Sequence, residues 1–213
     1  VRGLLYSNKW YFELVLKELR KLGYVISYSL LNAVSFGVPQ NRERLFVVGH
    51  RSKFQFPKPG VKKSTVGEAI GDLMYEFSPE SKFLNASMDQ YVAKYEKASA
   101  CINPRDLYPD RPARTLTCRN LAGATGDMQR VRLKDGRRRR ITIHEAARLQ
   151  SFPDWFDFSG NETSGFNQIG NAVPPLLAWH LACALKTCYN SKEEYCAEEI
   201  YHKTTQNEVL TLF

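Results

Sequence analysis

The stretch Phe36-Gly37-Val38-Pro39-Gln40-Asn41-Arg42-Glu43-Arg44-Leu45-Phe46-Val47-Val48-Gly49 constrains this chain more than any other. A Gly-Val-Pro break interrupts regular structure, because proline lacks an N–H and restricts the residue before it. The apolar, β-branched run that follows reads as a strand. Residues two apart in extended chain point the same way, so Arg42 and Arg44 share one side of the strand's mouth. Paired guanidinium forks suit bidentate capture of a phosphate or a base edge. The same residues also fit a solvated, charged strand entrance.

The elements around this break follow from local pattern. Residues 9–22 read as a helix with Trp10, Leu14, Leu16, Leu19 and Leu22 on its apolar face, stopped by Gly23. Residues 24–32 and 44–50 read as strands, and helix, strand, strand fits the end of an α/β sheet. Residues 54–63, with Pro57, Pro59 and Gly60, read as a linker, and 64–73 as a short helix. Residues 85–100 read as a helix capped by Ser87 with Gln90, its Met88/Tyr91/Val92/Tyr95 stripe expected in a core. A β-hairpin is expected to turn at Asp135-Gly136. Thr142 and Glu145 then form a capping box that opens a helix through Gln150, halted by Phe152-Pro153. The segment 165–175 reads on its own as a helix-capping loop, and with Asn171 beside a helix N-terminus also as the wall of a small-ligand site. Pro174-Pro175 opens a last helix to about Tyr189, apolar nearly all round and expected to be buried.

Composition narrows the function classes. The 213 residues are 43% hydrophobic and 24% charged, enough for one good core or for one domain and a smaller lobe. No apolar run can span a bilayer, so no membrane partner is expected and the chain is assigned to the cytoplasm (to the nucleoid, if bacterial). A net charge of +8 suits a polyanionic partner. The five cysteines, Cys101, Cys118, Cys183, Cys188 and Cys196, lack CxxC spacing and are odd in number, so neither a metal site nor a disulfide framework is indicated. Cys183 and Cys188 are expected in the core.

Basic residues concentrate in two places. Residues 111–120 carry Arg111, Arg114 and Arg119 with Thr115, Thr117 and Asn120, the mixture that phosphate anchoring and base reading require. The hairpin carries Arg130, Arg132 and the run Arg137, Arg138, Arg139 and Arg140. Alternation along a strand divides such a run between two faces, so only part of it can address one groove. A wholly solvated hairpin fits the local pattern as well.

Three blocks, in order, resemble the DNA cytosine-5 methyltransferases. They are Gly37-Val38-Pro39-Gln40-Asn41-Arg42-Glu43-Arg44, then Arg111-Pro112-Ala113-Arg114-Thr115 with Arg139-Arg140-Ile141-Thr142-Ile143-His144-Glu145-Ala146-Ala147-Arg148-Leu149-Gln150-Ser151-Phe152-Pro153, then Gln168-Ile169-Gly170-Asn171-Ala172-Val173-Pro174-Pro175. The chain looks like the C-terminal half of such an enzyme. The resemblance implies the C-terminal part of a Rossmann-like α/β methyltransferase sheet plus a smaller, mostly β target-recognition lobe. Residues 1–52 would end the catalytic domain, 53–153 would hold the recognition lobe and its supporting block, 154–190 would return to the catalytic domain, and 191–213 would be a polar tail. It implies that Gln40, Arg42 and Arg44 lie near a flipped cytosine and its phosphates, with Arg44 reaching the base. It implies that Asn171 and Ala172 line an S-adenosylmethionine site shared with the other half. Arg114, Arg119, Asn120, Arg130, Arg132, Arg137 and Arg139 are the expected contacts to double-stranded DNA.

Family motifs that do not occur here bear on the chemistry. The family's nucleophile is a Pro-Cys cysteine and its cofactor turn is Phe-x-Gly-x-Gly, and neither is present in these residues. Val1-Arg2-Gly3 resembles the continuation of the family's Glu-Asn-Val motif. Cytosine C5 becomes nucleophilic only after a thiolate adds at C6, and the base must first leave the stack. Alone, the chain is expected not to methylate DNA. It would act with a polypeptide or segment carrying the N-terminal catalytic half. A non-catalytic DNA-binding specificity subunit and an RNA-methylating relative are the competing readings.

Overall fold

The computed structural model describes residues 2–6, 9–60, 62–98, 100, 105–122 and 127–191. Its chain divides into two compact units: Val1–Asn32 with Glu43–Lys58 and Trp179–Phe213, and Ala33–Arg42 with Pro59–Ala178.

In the first unit, α1 (Arg2–Tyr6) and α2 (Lys9–Lys21) precede β1 (Val25–Asn32) and β2 (Glu43–His50). Gly23 ends α2 with φ +79°, a left-handed conformation that favours glycine. β1 and β2 pair antiparallel, Val25 opposite His50 and Asn32 opposite Glu43. Phe12 and Leu16 of α2 pack on Ile26 of β1, but Trp10, Leu14 and Leu22, expected on the buried face, are exposed. A second cluster joins Val48, Phe54 and Cys188. The first turn of α8 (Pro175–Asn190) belongs to the second unit and the rest to this one. Contrary to expectation α8 is not buried: Leu176, Trp179, Leu185 and Tyr189 are exposed, as is Cys183. The neighbours of Leu181, Ala184 and Cys188 cover one side of the helix and leave the others open.

The second unit is organised around a core of α3 (Val66–Ile70), α6 (Ile143–Leu149), α7 (Glu162–Asn171) and the β3 (Arg130–Arg132)/β4 (Arg138–Arg140) hairpin. Val66, Ile70, Leu116, Leu121, Val131, Leu149, Phe166 and Ile169 are all buried there. The lobe expected to be mostly β carries more helix than strand among the described residues, with only two three-residue strands there. Local capping explains this. Reciprocal capping boxes start α3 (Thr65/Glu68) and α6 (Thr142/Glu145), and Asn85 caps α4 (Ala86–Ala98) in place of the expected Ser87. Of the α4 stripe only Val92 is buried, while Tyr91 is 54% exposed. The hairpin turns at Gly136, φ +88°, as expected. No helix among the described residues is long and apolar enough to cross a membrane.

Candidate functional site

The Gly37-Val38-Pro39 break delivers Gln40 and Arg42 into the second unit, where both are fully buried. Pro39 O accepts from Ala113 N and Asn41 N donates to Ala113 O, so the segment runs alongside residues 113–116 as a short parallel bridge. Gln40 Oε1 accepts from Leu116 N at 2.8 Å, and its Nε2 donates to Gln150 Oε1 at 2.5 Å and to Leu149 O at 3.2 Å. Arg42 Nη1 donates to Leu116 O at 2.5 Å, and Nη2 to Gly170 O and Ala172 O, both at 2.8 Å. Gln150 Nε2 reaches Ile169 O and Ala172 O. One buried polar network thus joins residues 116, 149–150 and 169–172. The expectation that Gln40 and Arg42 face a base or phosphate is corrected by these partners: both side chains are held inside the core, by main-chain groups and, for Gln40, by the Gln150 side chain as well. Arg44 differs. It lies on β2 of the first unit, donates to Glu43 O at 2.7 Å, and partial burial holds its pKa below the usual arginine value.

Around this network, α5 (Cys118–Ala122) packs against α7 at Gly170. A Cβ there would fall 2.4 Å from Cys118 N, so the glycine is required by close approach. Cys118 Sγ donates to Asn171 Oδ1 at 3.2 Å, which leaves the two amide N–H donors of exposed Asn171 for a ligand. That donor set, beside the half-buried Ala172, suits the polar groups of a small cosubstrate. Asn120 is buried rather than facing a groove: Nδ2 donates to Thr115 O and Oδ1 accepts from Thr117 N, which shapes the start of α5.

The arginines expected on DNA separate into two sets. Arg130 and Arg139 are buried, which corrects their assignment to a DNA-facing surface. Arg130 Nε lies 2.5 Å from Asp106, with Glu96 at 3.3 Å. Arg139 forms a bidentate pair with Glu145 and donates to Leu73 O and Met74 O. Asp106 also holds Arg132 and Arg138. Burial would raise its pKa, but the charge and hydrogen bond of Arg130, then those of Arg138, bring it below the ordinary carboxylate value. Arg119, Arg132 and Arg137 keep exposed guanidiniums, Arg119 at 81%, whereas Arg114 is half-buried with its Nη1 shielded from solvent. Arg105, Arg114 and Arg119 lie 3.6–3.8 Å from the single carboxylate of Asp127, which leaves positive charge in excess. Burial, and then Arg105, hold the Arg114 pKa down. Nearby, Asp106, Tyr108, Arg111, Arg114 and Gln129 line a cavity of about 160 Å³. Sequence reasoning missed Asp106, Gln150 and Cys118, whose roles depend on partners far along the chain. Among the described residues no group of three His, Cys, Asp or Glu side chains is placed to hold a metal ion.

A sequence profile described as C-5 cytosine-specific DNA methylase matches residues 1–187. The Type II methyltransferase M.AplI of Arthrospira platensis is 53% identical over 194 residues, covering 90% of this chain and 56% of the relative. M1.HphI of Haemophilus parahaemolyticus is 34% identical, covering 80% of this chain and 50% of the relative. The chain therefore spans about half the length of these curated relatives. Among solved structures, the Entamoeba histolytica methyltransferase EhMeth superposes with a TM-score of 0.64 at 15% identity, over 84% of this chain and 59% of that one. The S. pombe Dnmt2 methyltransferase does so with the same score and identity, over 84% and 62%.

Proposed function

We propose the following role for this chain, which belongs to the C-5 cytosine-specific DNA methylase family: it supplies the DNA-reading and cosubstrate-pocket-completing half of a DNA cytosine-5 methyltransferase. The observation that carries this reading is a family match across residues 1–187 in a stretch that contains no Pro-Cys nucleophile. Methyl transfer from S-adenosylmethionine to C5 requires that thiolate at C6, so the covalent step belongs to a segment carrying the family's N-terminal motifs. The residues here would do the remainder. Arg44 would hold the flipped base, while Gln40 and Arg42 would act from inside the core. Asn171 and Ala172 would face the cosubstrate. Arg119, Arg132 and Arg137, whose guanidiniums are exposed, and the half-buried Arg114 would meet the DNA within the segment 53–153.

The test is transfer of labelled methyl from S-adenosylmethionine to duplex DNA by the full chain, alone and co-expressed with an N-terminal half bearing the Pro-Cys motif. Transfer by the pair and not by either half is expected. Transfer by this chain alone would overturn the assignment of the nucleophile. No gain over the N-terminal half would overturn the shared enzyme, leaving steeply salt-dependent DNA binding as the mark of a specificity subunit.

A further inference from the structure

Within the second unit, the segments proposed to meet DNA and cosubstrate share one buried guanidinium. Arg42 Nη1 holds Leu116 O, while Nη2 holds Gly170 O and Ala172 O. Leu116 lies between Arg114 and Arg119, and Ala172 follows Asn171. The seam between the segments is tight. Gly170 allows α7 to touch Cys118 N, and the Cys118 thiol is bonded to Asn171. Gln40 closes the same seam, binding Leu116 N on one side and Gln150 on the other, while Gln150 holds Ile169 O and Ala172 O. A displacement of residues 115–118 cannot be absorbed locally, because it would strip buried carbonyls of their donors.

Resting on the methyltransferase reading above, we infer that Arg42 is a positioning residue that couples the two segments. DNA seated on residues 114–120 orders Gly170, Asn171 and Ala172, and cosubstrate at Asn171 orders the DNA-contacting segment in return, since such coupling is reciprocal. The planar fork is essential. Its two amino groups reach carbonyls on different segments, which the single ammonium of lysine cannot do.

Hydrogen exchange on the full chain, with and without a mixed-sequence, cytosine-containing DNA duplex at low salt, tests the coupling. In the wild-type chain DNA is expected to slow exchange at residues 116–121 and also, by roughly tenfold, at 170–173. Arg42→Lys is expected to keep the first effect and to lose the second. Should that variant fail to fold, Cys118→Ala removes a half-exposed thiol, leaves Arg42 in place, and should cut the effect at Asn171 to roughly threefold. Slowing at 116–121 with none at 170–173 would overturn the coupling and leave the DNA reading standing. No slowing anywhere would remove the DNA reading, and the coupling with it. Full transmission in Arg42→Lys would show that Arg42 is not the positioning group.

Discussion

In Arg42→Ala, the carbonyls of Leu116 and Gly170 lose the arginine donor, while Ala172 O keeps its bond from Gln150 Nε2. An unsatisfied buried carbonyl costs about 1–3 kcal/mol, and partial relaxation lowers the cost of the pair. A loss of about 3 kcal/mol is therefore expected, a fall of roughly 6–12 °C in melting temperature at this chain length. Arg44, partly buried and bonded to its neighbour's carbonyl, should lose less than about 1 kcal/mol on replacement by alanine. In the reconstituted enzyme Arg44→Ala should instead reduce methyl transfer more than DNA affinity. Thermal melts of the two variants, paired with the transfer assay, check this division. Equal drops in melting temperature would refute it. The alternation rule that aligned these two side chains holds in extended chain, and only Arg44 lies on a strand.

The hairpin and the elements beside it carry two further expectations. Asp106 joins the segment before β3 to Arg130 and Arg132 of β3 and Arg138 of β4. Its folded pKa lies below the unfolded value of about 3.9, so the stability it contributes is fully present above pH 4. That contribution is lost as pH falls through the folded pKa. Melting temperature should decline below about pH 4 in the wild-type chain, and the decline should be shallower in Asp106→Asn, from a lower plateau at neutral pH. An acid limb as steep in the variant would place the titrating group elsewhere. The exposed Arg132 and Arg137 carry a different expectation. If they meet phosphates, each replacement by alanine should lower the salt slope of DNA binding by about one unit, whereas Arg130→Ala should act through stability. An unchanged slope in both exposed variants would take the hairpin away from the DNA. Most of these elements were legible because their signals are local: a capping box at Thr142, a turn at Gly136, a stop at Gly23. α7 was not legible. Only Phe166 and Ile169 mark its apolar face, and Gly165 and Gly170 look like breakers in sequence, yet both are where neighbouring side chain or backbone comes too close for a Cβ. The division of the basic residues into buried and exposed sets was not legible, since the carboxylates that pair with Arg130 and Arg139 come from Asp106, Glu96 and Glu145 in other elements.

Among the described residues, large apolar side chains lie exposed most densely in the first unit. In the first unit the described residues include Trp10 at 69%, Trp179 at 59% and Tyr189 at 89% exposure, with Tyr6, Tyr11, Leu22 and Leu185 exposed as well. A two-stranded antiparallel sheet is marginal on its own, and among the described residues β1 and β2 pair only with each other. Scattered exposed hydrophobics are ordinary, but this many large side chains on one small unit is the composition of a covered surface. The second unit, with its continuous core, does not share the pattern to the same degree. The proposed N-terminal half would supply the cover, and the cover should be measurable without any catalysis. Binding of an apolar fluorescent dye to the full chain alone should be strong and should fall severalfold in the co-purified pair, with α8 and α2 gaining protection from hydrogen exchange. Dye binding and protection that stay the same in the pair would mean that the second half does not seat on this surface. The shared-enzyme reading would then lose its physical support even if the family assignment stood.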